Sequence, residues 1–377
     1  MPAADETELV AVAGAGRELA DAARRLWDDG KAVLALNPKL ARRELDLLLD
    51  RLQPGRVPVA ADTAAVVVTS GTAGEPKGAE LTRPGMEAMG RGYSDGLDAG
   101  PGDRWLACLP LHHVASLAIV ARSYVTGVPC TVHDSFDVAR VAASPRTDDT
   151  SIVSLVPTAL RRMLDAGAPL HEFRRVIVGG APCPASLRAR AEADGIAVVD
   201  AYGLSETWGG FALDGVPIAG ADVRLADDAE ILVRGAMVMR GYRLDATRTA
   251  EVLTREGWLH TGDAGTMDDG RLRVVERLKD IVITGGVNVS PTEIEGVLMT
   301  SPAVRDVCVV GTPDDEWGER VVAFVVPSPG AAPTVQDLRA HARGELSAAK
   351  LPREVRLVDE IPRTASGKPL RRLLRGS

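Results

Sequence analysis

The stretch TSGTAGEPKG, Thr69 to Gly78, decides how this chain is read. An apolar run, TAAVVVTS (63–70), leads into it, and a helix is expected to begin near Arg83. Glycines let successive backbone N–H groups turn toward one anion. The hydroxyls of Thr69, Ser70 and Thr72 add donors, and Lys77 adds a mobile charge. The chemistry is that of a polyphosphate cradle. It is not a Walker loop, which needs glycine directly before the lysine and Ser or Thr after it, because Pro76 precedes Lys77 and Gly78 follows. Taken alone, such a loop is also compatible with a plain turn.

Working outward, the run at 63–70 is the first of a series: RWLACLP, GVPCTVHD, SIVSLVP, RRVIVGG and GIAVVDAYG. Continuous Val/Ile/Leu runs bounded by Gly, Pro and Asp, with helix-length segments between them, indicate strands buried on both faces of a mostly parallel sheet. Residues 1–60 read as a covering helical layer, from GRELADAARRLWDDG and LARRELDLLLDRLQPG. After about Asp214, alternating apolar and polar residues predict a small antiparallel section, and the last hundred residues predict a small α+β unit. The boundary is placed near Lys279, giving domains 1–278 and 279–377 of an α/β layered fold. A chain of 377 residues suits two domains. The net charge of −8 argues against a nucleic-acid partner. Four scattered cysteines suggest neither a zinc cage nor a disulfide framework, and no run is long enough for a membrane span or a signal core. A cytoplasmic location is expected, and a homodimer is left open.

The order T-S-G-T-x-G-x-P-K-G resembles the phosphate loop of the acyl-adenylate-forming ligase superfamily. Further motifs of that superfamily follow in its order: GGAP (179–182), DAYGLSET (200–207), TGD (261–263), RLKD (277–280), GGVNVSPTEIE (285–295) and RTASGK (363–368). The resemblance covers roughly residues 63–370. It implies an acyl-CoA synthetase-like fold and a two-step reaction, in which a carboxylic acid is coupled to AMP with release of pyrophosphate and then passed to the thiol of CoA. ATP, Mg2+ and CoA are the implied co-substrates and metal.

The resemblance also implies roles. Thr69, Ser70, Gly71, Thr72, Gly74, Lys77 and Gly78 would cradle the phosphates, while Gly179, Gly180, Ala181 and Pro182 would pack the adenine. Asp200, Ala201, Tyr202 and Gly203 would hold the base, with Asp200 accepting from its amino group and Tyr202 stacking on the ring. Asp263 would take both ribose hydroxyls, for which paired carboxylate acceptors are suited. Arg277 would add a ribose contact, against a competing reading as a structural ion pair. Glu206 is the hard oxygen ligand for Mg2+ and Ser205 a donor to the α-phosphate. Lys368 is the cation bridging two mutually repelling anions, carboxylate and α-phosphate. His113 would gate the acyl pocket, formed with Ser154, Gly180, Gly203, Gly209 and Gly210. Lys279 is the hinge, and Gly285 and Gly286 would let the backbone pass close to the pantetheine arm.

Ala73 stands where a second Thr or Ser is common and Glu276 where Gly or Asp is common before the arginine. The phosphate loop starts early in the chain, which implies an abbreviated enzyme. SLVPTAL (154–160), Y-G-x-S-E-T and the pair Gly209-Gly210 resemble the o-succinylbenzoate-CoA ligases of menaquinone synthesis, particularly compact actinobacterial-type versions. A dicarboxylic substrate needs a cation or hydroxyl for its second carboxylate, with Ser154, Arg161 and Arg162 as candidates. Another aryl or medium-chain acid, a carrier-protein thiol acceptor and a nucleotide-binding regulator are the alternatives.

Overall fold

The computed structural model describes residues 5–70, 76–363 and 369–375. Gly71, Thr72, Ala73, Gly74 and Lys368 lie outside them. The short apolar runs form a seven-stranded sheet in the order Val216–Pro217, Gly209–Leu213, Val198–Leu204, Arg175–Gly179, Ile152–Leu155, Trp105–Ala107, Cys130–Val132. The last five of these strands are mutually parallel. Their Val, Ile, Leu and Trp residues, such as Val198, Val199, Val176, Ile177, Ile152, Val153, Trp105 and Leu106, are buried, as both-face coverage requires, while the central strand opens from Asp200 onward. Leu106, Val153, Val176 and Val178 pack on one side under the helices Pro157–Asp165 and Ala185–Ala193; Trp105, Ile152 and Ile177 pack on the other.

A five-stranded sheet, ordered Gly241–Tyr242, Pro76–Thr82, Thr63–Ser70, Ala32–Leu36, Leu9–Ala13, carries the opening stretch. Here the reading of residues 1–60 as wholly helical is corrected. The helices Gly16–Asp28 and Arg42–Leu52 are present, but LVAVA and AVLAL are parallel strands beside Thr63–Ser70. Five apolar residues in a row carry no period that separates a strand from a buried helical turn. The strand Thr63–Ser70 also turns straight back, with Thr69 opposite Lys77 and Ser70 opposite Pro76. Lys77 therefore lies on a strand, and the helix Arg83–Gly96 begins only after it, with Thr82 capping its first turn.

An antiparallel four-stranded sheet follows, with strands Asp222–Leu225, Glu230–Arg234, Leu259–Asp268 and Arg271–Arg277. Beyond a single 3-10 turn, Leu278–Asp280, the chain builds a separate sheet around Val304–Asp314 and Gly318–Pro327, with its own core of Val282, Val289, Ile294, Val309 and Val321. The fold is thus a large α/β domain with an antiparallel section and a small C-terminal α+β unit. Glu276, the departure noted before Arg277, reaches across this joint. Its carboxylate is buried and accepts from Ser290 Oγ at 3.0 Å and the Thr292 N–H at 2.8 Å, at the start of the helix Pro291–Leu298.

Candidate active site

The site forms where the parallel strands end, the usual crevice of an open α/β sheet. The central strand Val198–Leu204 delivers Asp200, Ala201, Tyr202 and Gly203, and Gly179 lies beside Ala201 on the neighbouring strand. Gly180, Ala181 and Pro182 continue from there, with Gly180 at φ +78°. At Gly203 any side chain is excluded by space, because a Cβ would lie 1.8 Å from the Gly209 carbonyl oxygen. That close approach turns the chain through Ser205–Thr207. Thr207 Oγ1 accepts from the Leu204 N–H at 3.0 Å and donates to Gly209 O at 2.7 Å.

Glu206 is carried by this turn. Its Oε1 accepts from Tyr242 Oη at 2.7 Å, and Lys77 Nζ stands 4.6 Å from the centre of the Tyr242 ring. Burial, then the Glu206 charge, pushes the Tyr242 phenol well above its ordinary range, so it acts as a donor that fixes the carboxylate. Glu206 keeps further oxygen lone pairs for a cation, and one carboxylate with substrate phosphates and water is the usual provision for Mg2+. Ser205, half-buried, precedes it on the same turn.

Asp263 is 4% exposed. Its Oδ2 accepts from Tyr202 Oη at 2.7 Å, and its Oδ1 meets Arg277 Nε at 2.7 Å. The competing reading of Arg277 as an ion-pair partner is what this geometry contains. A carboxylate has about four acceptor positions, so a ribose diol would have to share these two oxygens or displace their donors. The Tyr202 ring packs edge-on to Phe211, centroids 4.9 Å apart. Asp200 has one oxygen paired with Arg188, while its Oδ1 is buried without a partner among the described residues. That orphaned acceptor suits the amino group of an adenine.

Toward the acyl side, His113 precedes the helix Val114–Thr126 and its ring lies 4.3 Å from that of His112. Burial, then the neighbouring His113, pushes His112 down to about 4, so it is neutral at physiological pH. Gly209 stands against Ala118, and Gly210 against the Tyr93 ring, where a Cβ would lie 2.5 Å from Cε2. Ser154 is half-buried on the strand Ile152–Leu155. Arg162 is exposed and lies over the Phe136 ring at 5.0 Å, so it does not serve a buried second carboxylate. On the far side of the Tyr93 ring, beside Trp105 at the start of its strand, lies a buried cation that the sequence reading did not single out, Arg122. It is 3% exposed, with its guanidinium 3.7 Å from the centre of the Tyr93 ring that backs Gly210. Nε points at Met89 Sδ at 3.4 Å, Trp105 lies 5.2 Å away, and Nη1 is buried with no hydrogen-bond partner among the described residues.

Other residues fall elsewhere. Gly78 faces the core, since a Cβ would meet Val66 at 2.7 Å and Leu52 at 2.8 Å, so its smallness serves packing under the helix Arg42–Leu52. Gly285 and Gly286, at φ +57° and +77°, form a two-residue hairpin turn between Val282–Thr284 and Val287–Val289, a backbone that strongly favours glycine. Lys279 sits in the 3-10 turn, and its carbonyl accepts from Arg375 at 3.1 Å. Arg363, paired with Asp306 at 2.8 Å, bridges to Pro369, so both ends of the segment bearing Lys368 are anchored on the C-terminal unit.

Comparison with known proteins agrees with this geometry. Residues 6–243 match the AMP-binding enzyme family and residues 293–368 its C-terminal domain. A probable 2-succinylbenzoate–CoA ligase of Mycobacterium tuberculosis is 40% identical over 319 residues, covering 81% of this chain and 82% of that protein. A feruloyl-CoA synthase of an Amycolatopsis species is 35% identical over 388 residues, covering 92% and 79%. The o-succinylbenzoate CoA synthetase of Bacillus subtilis, solved with the acyl-adenylate intermediate OSB-AMP, superposes with a TM-score of 0.88 at 26% identity, covering 98% and 88%. The fold and site define an AMP-forming acid–thiol ligase, using ATP, Mg2+ and CoA. The chain belongs to the AMP-binding enzyme family. Among the described residues, no helix is long and apolar enough to cross a membrane.

Proposed function

We propose that the chain is an o-succinylbenzoate–CoA ligase. The observation that carries the choice of acid is Arg122, a cation buried behind the Tyr93–Gly210 wall with an unsatisfied Nη1 and no carboxylate partner among the described residues. A buried guanidinium is costly unless a counter-charge arrives, and a planar fork suits a carboxylate. The second carboxylate of o-succinylbenzoate is that counter-charge.

In the first step a carboxylate oxygen attacks the α-phosphorus of ATP, the bond to pyrophosphate breaks, and acyl-AMP forms. Lys368 brings the two anions together, with Ser205, Thr69, Ser70, Thr72 and Lys77 as phosphate donors. Tyr242 orients Glu206, which would hold Mg2+; the ion would neutralise triphosphate charge. Asp200 and Tyr202 take the base, and Asp263 with Arg277 the ribose. In the second step the CoA sulfur attacks the acyl carbon and AMP leaves. The cation's loop must withdraw for this, and the turn at Lys279, where we place the division between 1–278 and 279–377, is the hinge. His113 guards the acyl pocket until ATP is bound. The reaction belongs in the cytoplasm and needs no nucleic acid; a homodimer is the assembly to look for.

The test is a carboxylic-acid panel, including o-succinylbenzoate, benzoate and ferulate, scored by ATP-dependent pyrophosphate release with and without CoA. The highest kcat/KM on o-succinylbenzoate is expected, and a monocarboxylate ahead of it would refute the assignment. A carrier-protein thiol is the second reading. It is favoured by the exposed Ile283 and Val287 on the Gly285–Gly286 hairpin, and selected by pyrophosphate release without thioester formation on free CoA.

A further inference from the structure

The helix Ala185–Ala193 sets one arginine, Arg188, against the strand that carries Asp200. Its Nη1 donates to Asp200 Oδ2 and, at 3.1 Å, to Asp214 Oδ1, while its Nε donates to Glu192 Oε1 at 2.8 Å. Asp214 Oδ1 also accepts the N–H of Asp200 at 3.0 Å, and the Asp214 N–H returns to Asp200 O at 2.8 Å. Asp200 is therefore held twice, by its backbone through Asp214 and by its side chain through Arg188. One carboxylate oxygen is spent in this way. The other, Oδ1, is left buried and without a partner among the described residues.

Three carboxylates, Asp200, Asp214 and Glu192, share this single guanidinium. Without it, mutual repulsion and desolvation would favour the protonated acid at Asp200, and a protonated carboxyl can donate as well as accept. Burial already raises the Asp200 carboxyl above its ordinary range against the pull of Arg188.

We infer that Arg188 is a positioning residue that sets base selectivity: it keeps Asp200 acceptor-only and aims Oδ1 at the exocyclic amino group of a 6-aminopurine. The inference rests on the proposed seating of ATP at this strand end and adds the group that decides which purine is taken. A 6-oxopurine presents an acceptor at the same position, and two acceptors facing each other repel. Arg188 itself does not touch the nucleotide.

The test is calorimetric titration with two non-reacting probes, α,β-methylene-ATP and α,β-methylene-ITP, each with Mg2+, at pH 6 and pH 8. Neither needs the organic acid. Wild type should prefer the 6-amino probe at least about tenfold, the ratio expected of one hydrogen bond to a charged group. Arg188→Met should weaken the 6-amino probe by about tenfold, more at pH 6 than at pH 8, and bring the preference to within about threefold. Adding Asp200→Asn, a neutral acceptor that needs no counter-charge, should restore binding of the 6-amino probe and remove its pH dependence. A purely structural role would weaken both probes equally in Arg188→Met with no rescue by Asp200→Asn, and that result overturns the inference, as does an unchanged preference. Wild type that binds neither probe overturns the underlying reading of the site. Wild type that binds both probes equally overturns the selectivity alone.

Discussion

Replacing Arg122 by methionine separates stability from substrate choice, because this side chain is buried with no carboxylate among the described residues to neutralise it. In the free protein the substitution removes its interactions with Tyr93 and Trp105, at 3.7 and 5.2 Å, worth about 2 kcal/mol for a desolvated cation over an aromatic face. It also removes the desolvation penalty of an unpaired buried ion, which is roughly several kcal/mol. Methionine keeps much of the volume, so no large cavity is left. Thermal and denaturant melts should therefore give a stability unchanged or raised by up to about 2 kcal/mol. With o-succinylbenzoate bound, the same change leaves a carboxylate buried without its partner, costing about 3–5 kcal/mol. At about 1.4 kcal/mol per decade, kcat/KM falls roughly a hundred- to several-thousand-fold. Benzoate, which has no second carboxylate, is the control, and its kcat/KM should move by less than about threefold. The assay is pyrophosphate release at saturating ATP. Equal losses on both acids would refute the reasoning, and so would a melt lowered by about 3 kcal/mol, which would make Arg122 a structural residue.

Lys368→Ala should abolish formation of acyl-AMP while sparing thioester formation from preformed acyl-AMP; equal loss of both steps in single-turnover assays would refute the division of labour. His112, held near 4 by burial against an ordinary 6.5, takes up its proton more readily in the unfolded chain, so its contribution to stability is lost as pH falls from about 6.5 toward 4. His112→Asn should flatten that part of the pH profile in urea melts, and an unchanged slope would exclude the cause. Gly203→Ala puts a methyl 1.8 Å from Gly209 O and must force the two strands apart, so a loss of more than about 3 kcal/mol is expected. A melt within about 0.5 kcal/mol of wild type would show that the strand pair yields.

The parallel sheet was legible because its strands are continuous apolar runs cut by Gly, Pro and Asp; Thr63–Ser70, read as the first of that series, matches its run end for end but belongs to the five-stranded sheet. The two N-terminal strands were hidden, since LVAVA and AVLAL sit between strongly amphipathic helices that set the character of the whole segment. The ordered motifs let roles on the nucleotide side be proposed residue by residue. Its supporting groups could not: Tyr242 reaches Glu206 across 36 positions, and Arg188 reaches Asp214 across 26. Such pairs exist only once strands from distant parts of the chain are adjacent. Glu276 shows the converse, where a departure from pattern became intelligible as the acceptor that fastens Ser290 and Thr292.

Arg122 did leave a sequence signal. The helix VASLAIVARSYVT is apolar nearly all round, and every residue from Ser116 to Arg122 is buried, so a lone charge there has no solvent face to occupy. Burial alone would still not mark it as functional, as Arg243 shows. That residue is 4% exposed, yet its guanidinium donates to the carbonyls of Leu52, Val57 and Pro58 and to Glu80 Oε1 at 3.1 Å. Arg243 is compensated from within and ties the helix Arg42–Leu52 and the loop after it to the strand Pro76–Thr82. Arg122, equally buried, has two aromatic faces, the Tyr93 hydroxyl and a thioether, with an idle Nη1 and no carboxylate partner among the described residues. A protein that needed this charge only for its own fold would supply an acceptor, since an uncompensated buried ion lowers stability. Leaving it uncompensated has a physical rationale if the acceptor arrives with the substrate, and the same test, whether a buried charge is answered from inside the chain, separates the two arginines without reference to any relative.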